Sequence, residues 1–294
     1  MSYPSNQNSS VNSELFAPLV VQAEYAAYEN SIARQLVRVF DVPMNAGKVV
    51  QVPVWASISA EIITDESAAN LLQTNTTAPT ITLTEHVVYN QITDMLRDSA
   101  FQDVMSQLGD QSGRAIAESL DTQVFAEFAN FSSDLGSTST ELTVNLLLQG
   151  AATLRSRKLT GPFFAVVHPN CAYNLKKQLT TTLPYSGASA GAQLGAITDI
   201  GNSVLSNFYV GQVAGIQIFE SALVSSDTTG GATAYKNGVF AMNALGHAMR
   251  GGIDMNTLYL PAARATDVVL KAVAGAGTLH STWGVRITSE GTIN

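Results

Sequence analysis

The chain is poor in the residues that usually do chemistry. It has one cysteine, Cys171, which excludes an intrachain disulfide and a cysteine-rich metal site. Its histidines are His86, His168, His247 and His280, and none has the i, i+4 spacing of a helical zinc motif. Only 13% of its 294 residues are charged, 15 basic against 23 acidic, for a net charge of −8. Proteins that grip nucleic-acid phosphates concentrate lysine and arginine on one surface. Here the densest basic group is Arg155, Arg157 and Lys158, at a place where a helix C-terminus favours cations. No apolar run reaches the roughly 18 residues of a membrane-spanning helix. The first dozen residues are polar and lack the basic and apolar blocks of a leader peptide. These absences predict a protein that stays in the cytosol where it is made. It is held together by burial and by contacts with other chains, with no cofactor and no metal.

What is present is a sizeable core. Apolar residues make up 46% of the chain, enough to exclude wholesale disorder. The length suits about two domains at roughly 150 residues each. Residues 1–12 read as a loose arm. Phe16, Leu19, Val20, Ala23, Ala27, Ile32 and Leu36 predict a helix over 13–39, capped by Ser13 and closed before Pro43.

Residues 47–56 alternate, with Val50, Val52 and Val54 on one face, and Pro53 marks an edge strand. A second arm is expected over 80–93, where Ile81 and Leu83 alternate with threonines and the pattern slips near Val87 and Val88. The connector between them, Ser57 to Pro79, is far longer than a hairpin turn. A two-stranded ribbon is marginal alone in water, so it must lie against its own body or another subunit.

The longest helix is expected over 94–131, on the order of 50 Å long. Gly109 and Gly113 weaken it, and they allow a bend or close approach by another backbone. Residues 132–140 read as a Ser/Thr/Gly linker. The stretch 141–247 reads as α/β, with helices over 142–158 and 169–179 and strands over 163–167, 208–220 and 234–242. Three more strands are expected at 253–260, 266–274 and 283–289.

The catalytic motifs that occur lack their structural setting. Gly187 to Gly191 fits the G-x-S-x-G pattern around Ser189, but no buried strand precedes it. His168 and Cys171, three apart across Pro169, suit the start of a helix better than a ligand pair. Asp65 and Glu66 suit solvated charges on a loop tip.

The order of parts resembles the Hong Kong 97-type major capsid proteins of tailed phages over nearly the whole chain. The segment Phe164 to Asn170 resembles that family's strand-to-helix junction in the axial domain, Trp283 to Ile287 its closing peripheral-domain strand, and Leu108 to Phe125 its spine helix. The resemblance implies an α+β fold with an N-arm at 1–45 and an extended β-hairpin E-loop at 46–93. The P-domain would combine 94–140, carrying the spine helix, with 251–294, and the A-domain would span 141–250.

It further implies a structural protein, not an enzyme, that self-assembles through hexamers and pentamers into an icosahedral shell around double-stranded DNA in a bacterial host. A separate scaffolding protein, a portal and decoration proteins are implied partners, with DNA contacted only non-specifically. An encapsulin-like compartment shell is the alternative, and a serine hydrolase a distant one. Trp55, Ile58, Glu61, Ile62, Ile63, Asp65, Glu66, Leu71 and Leu72 are the expected E-loop contacts, with Arg155, Arg157 and Lys158 as basic partners on a neighbour. The tip, 57–80, has no lysine, and Lys48 lies at the base, so no covalent cross-link between subunits is expected.

Overall fold

A computed structural model of the chain describes residues 19, 21–24, 26–27, 31–55, 58, 60–62, 71, 75–99, 104–181, 212–213, 215–227 and 233–293, the side chains of 97–99, 104–106 and 178–181 excepted. A short helix α1 (Ala33–Leu36) leads into strand β1 (Arg38–Asp41). Four short strands follow, β2 (Val49–Gln51), β3 (Val54–Trp55), β4 (Thr76–Thr77) and β5 (Thr80–Thr82), then the longer β6 (Thr84–Thr93). Helices α2 (Asp94–Ser99) and α3 (Val104–Ala126) come next, and a 3-10 turn, Glu127–Asn130, delivers the chain to β7 (Ser133–Glu141). Helix α4 (Val144–Ser156), β8 (Phe163–Val167) and α5 (Pro169–Thr181) precede β9 (Gln212–Val213), β10 (Ile216–Glu220), β11 (Ser226–Asp227) and β12 (Ala234–Ala241). The chain continues through β13 (Leu245–Leu260), β14 (Ala265–Thr278) and β15 (Gly284–Glu290).

Two sheets organise these elements. One has four strands in the order β1-β13-β14-β6. Along β14, Val268, Leu270, Ala272 and Ala274 point inward at a spacing of two, and Ile116 and Leu120 of α3 pack in the same cluster. The other sheet has seven strands in the order β7-β15-β12-β8-β10-β9, with β11 on β12. Helix α4 covers it with the stripe Leu147, Gly150, Ala151 and Leu154, and starts at Thr143, whose hydroxyl accepts from the Leu146 N–H at 3.3 Å.

Several elements depart from the sequence expectation. Residues 38–41 are a strand, because β13 offers a parallel partner that a local pattern cannot show. The long helix gives way to a 3-10 turn after Ala126, and Phe128 and Phe131 turn in against Gly238 and Gly284, where a Cβ would leave no room for the rings. The expected linker at 132–140 is β7, paired in parallel with β15 and tied to it by Arg286 to Asp134 at 2.5 Å. Strand β13 begins at Leu245 and pairs with β14 nearly throughout. The closing strand β15 belongs to the seven-stranded sheet beside β12, not with β13 and β14.

The N-terminal residues dock on α3 through a notch. A Cβ on Gly109 would stand 2.8 Å from the Leu19 carbonyl oxygen, and one on Gly113 would stand 2.9 Å from the Ala23 Cα, with the Ala23 carbonyl closer still. The close approach foreseen for these glycines is therefore made by the chain's own N-terminal segment, where Leu19, Ala23 and Ala26 are buried. Asp121 of α3 fixes the next turn: its carboxylate accepts from Ser31 Oγ at 2.7 Å, Ile32 N at 2.9 Å and Ala33 N at 3.4 Å. Burial raises the Asp121 pKa against the opposing effect of those hydrogen bonds. Nearby, His247 of β13 is 2% exposed, and burial, then the charges of Arg34 and His86, lower its pKa from 6.5 to about 4.

Two outcomes follow from this junction. Gly113→Ala gains about 1 kcal/mol of helix propensity, but overpacking against backbone costs roughly 1–3 kcal/mol. The expected net result is faster proteolysis within residues 19–36 than in the wild type, measured by limited proteolysis and mass spectrometry. For His247 the unfolded chain takes up the proton first. Its contribution is therefore complete above the unfolded pKa of 6.5, is lost as pH falls toward about 4, and changes no further below that. The full loss is up to roughly 3 kcal/mol. Asp121 acts in the opposite sense, so the measurement is a difference: the denaturant midpoint of His247→Leu should fall less between pH 7 and 4 than that of the wild type.

Candidate assembly interface

The ribbon is real, but it ends sooner than the alternation suggested. β2 pairs with β5, Val50 facing Ile81, and β3 pairs with β4, Trp55 facing Thr76. One backbone bond bridges these short ladders, Val52 N to Pro79 O at 3.1 Å, and another, Leu83 N to Lys48 O at 2.8 Å, extends the β2–β5 ladder toward the root. Residues 84–93, expected to belong to the returning arm, instead form β6 at the edge of the four-stranded sheet, paired with β14 from Thr84 to Thr93. The slip in the pattern near Val87 and Val88 is not a bulge: β6 runs through it in register, with Val87 exposed and Val88 packed inward.

The root of the ribbon is locked into the body. Ile81 is fully buried and joins Val42, Leu83, Ala248 and Leu279. Bare glycines make this seat: a Cβ on Gly246 would stand 2.9 Å from Ile81 Cδ1, and one on Gly277 3.0 Å from Ile81 Cγ1. Beyond the root the situation reverses. Trp55 is 69% exposed, Ile58 66%, Ile62 96% and Leu71 91%, and Glu61 is exposed as well. None of these four apolar residues joins a core cluster of the described chain. Ile63, Asp65, Glu66 and Leu72 lie outside the described residues.

Of the expected basic partners, Arg157 bonds within its own chain, donating to the Thr282 carbonyl and to Ser133 Oγ, the latter at 2.5 Å. It braces the end of α4 against β7 and the turn before β15. Arg155 and Lys158 are exposed, and Lys158 holds a left-handed backbone, φ 62°, just past the end of α4.

The residues weighed for chemistry serve packing. Cys171 is buried on α5, its thiol pKa pushed up by burial, with Sγ 3.3 Å from Ser289 Oγ. The His168 ring stacks on Tyr235 at 3.5 Å. Among the described residues no group of three or more His, Cys, Asp or Glu could hold a metal ion. Ser189 and its glycines lie outside the described residues. Sequence reasoning missed Asn237, 1% exposed in β12. Its Oδ1 accepts from the His168 N–H at 2.8 Å, and its Nδ2 donates to Ser289 Oγ at 2.8 Å and the Ile287 carbonyl at 3.3 Å. A polar residue inside the apolar strand Ala234–Ala241 was the available signal.

A rooted ribbon, a long helix over one sheet and a second mixed sheet define a shell-building class of subunit. The phage capsid protein family matches over residues 78–288, more than two thirds of the chain. The capsid subunit of cyanophage P-SCSP1u superposes with a TM-score of 0.64 at 18% identity, covering 87% of each chain. That of Ralstonia phage GP4 gives 0.65 at 12% identity, covering 88% of each. The virus-like particle of Pyrococcus furiosus gives 0.58 at 12% identity, covering 94% of this chain and 100% of the other. No curated protein sequence matches. The chain belongs to the phage capsid protein family and has the Hong Kong 97-type fold. It is a structural shell protein of the virion rather than an enzyme.

The exposed ribbon side chains allow folding and assembly to be tested separately. Replacing Trp55 and Ile62 together by Ser should leave the subunit's unfolding free energy within about 0.5 kcal/mol of the wild type, as for other surface changes. The yield of closed particles, counted by negative-stain microscopy, should drop by an order of magnitude or more.

Proposed function

We propose that this subunit forms hexamers and pentamers that close into an icosahedral shell around double-stranded DNA, with the ribbon as the clamp between neighbours. The observation that carries the reading is the contrast within one hairpin: Ile81 is fully buried at the root, while Ile62 and Leu71 are over 90% exposed toward the tip. Apolar groups on a rigidly rooted arm gain free energy only by meeting another surface. In a closed shell each copy offers such a surface. Obligate interfaces bury about 2,000 Å² or more, and many modest contacts made together reach that scale.

On this reading the E-loop runs from about residue 46 to 83, its contacts being Trp55, Ile58, Glu61, Ile62, Ile63, Asp65, Glu66, Leu71 and Leu72. Arg155, Arg157 and Lys158 of a neighbour are the basic groups proposed to face its carboxylates. The four-stranded sheet with α3 is the P-domain and the seven-stranded sheet the A-domain. The A-domain then draws β7 and β15 from outside residues 141–250. The net charge of −8 suits a wall that does not adhere to its packaged DNA. Assembly takes place in the cytoplasm of the bacterial host with a separate scaffolding protein, a portal and decoration proteins, and without covalent cross-links.

A compartment shell for protein cargo is the second reading, and the match to the phage capsid protein family weighs against it. Nuclease-protected DNA in purified particles separates the two. The clamp itself is tested by deleting 58–73, which spares the β3–β4 pairing. The shortened subunit should keep its far-ultraviolet circular dichroism and make no closed particles. Closed particles from that variant would refute the clamp.

A further inference from the structure

The N-terminal segment, α3 and β13 line an open-mouthed cavity of about 450 Å³. This volume falls within the range of roughly 300–1,000 Å³ typical of small-molecule sites. Ile116, Leu120, Met249 and Ile253 make its walls apolar, while Arg34 and His247 line it as well. His247 is 2% exposed, and neither of its ring nitrogens has a hydrogen-bond partner. Buried polar atoms are nearly always paired, and an orphan demands an explanation. Ser31, also on the lining, does not supply one, because its hydroxyl is given to Asp121 at 2.7 Å.

We propose that this cavity binds a small molecule with an apolar body and a carboxylate head. The body lies against the isoleucine, leucine and methionine side chains. The head accepts a hydrogen bond from the His247 ring and sits in the field of the Arg34 guanidinium. A neutral imidazole always carries one N–H to donate, and the burial that keeps His247 neutral holds at pH 7. The Arg34 charge is felt at the ring, where it opposes protonation of the imidazole. Glu24 is exposed and lies over Gly252 at the rim, so a molecule bound the other way round would set its carboxylate against another. A bound molecule would touch the N-terminal segment, α3 and β13 at once and stabilise their docking by mass action.

Decanoate and decanol are suitable probes, since they share a chain and differ in the head. Isothermal titration of the full-length subunit at pH 7 should give one saturable decanoate site per chain, at least tenfold tighter than decanol. His247→Leu should bind both probes with no preference between them, and Arg34→Gln should lose the preference in the same way. Leu120→Trp, which fills the cavity, should bind neither. No saturable decanoate site, equal affinity for the two probes, or a preference that survives both His247→Leu and Arg34→Gln would overturn the proposal. The titration uses subunits, so its result is independent of whether shells form.

Discussion

Strand β14 is the element on which the rest of the molecule leans. It pairs with β13 on one side from Ala265 to Thr278, and with β6 on the other from Ala265 to Ala274. One face presents Val268, Leu270 and Ala272 to α3. Its last turns carry Gly275 and Gly277, which leave space for Thr82 and Ile81. The same strand therefore fixes the sheet, the long helix and the base of the ribbon. A side chain at either glycine would lift the ribbon from its seat while leaving the hydrogen-bonded ladder in place.

The parts of this fold that were legible in the sequence are those whose signal is local. The valines of 50–54, the stripe of α4 and the junction at Pro169 announce themselves within a dozen residues, and the structure has a strand or helix at each. What escaped needed a distant partner. The serines, threonines and glycines of 133–141 read as a linker because nothing nearby says that β15 will lie beside them. Residues 84–93 continue the ribbon's alternation, yet they are claimed by β14, far along the chain. The buried Asp121 and His247 gave no warning, since a carboxylate in a helix and a histidine in a strand both default to the surface. The order of parts along the chain carried the family where single motifs could not.

The proposed interface has no local signal in the sequence beyond apolar residues in a long connector, and Trp55, Ile58, Ile62 and Leu71, put forward as its contacts, are exposed in the subunit. Arg157, one of the expected basic partners, also bonds within its own chain to Ser133 and Thr282. Exposure is a property of residues that have not yet met their partner, and sequence cannot distinguish it from burial at home. The root residue Ile81 and the distal Ile62 belong to the same hairpin and the same residue type, and only the glycines beneath Ile81 tell them apart.

The place of β15 has a bearing on the order in which a ribosome delivers this protein. The strand lies between β7 and β12, yet both of those are made well before it. Until residues 284–290 emerge, β7 has no strand to pair with and β12 is left as an open edge of the larger sheet. Pairings that span so much chain form late. A nascent subunit thus exposes its apolar ribbon early but completes its larger sheet only after residues 284–290 have been made.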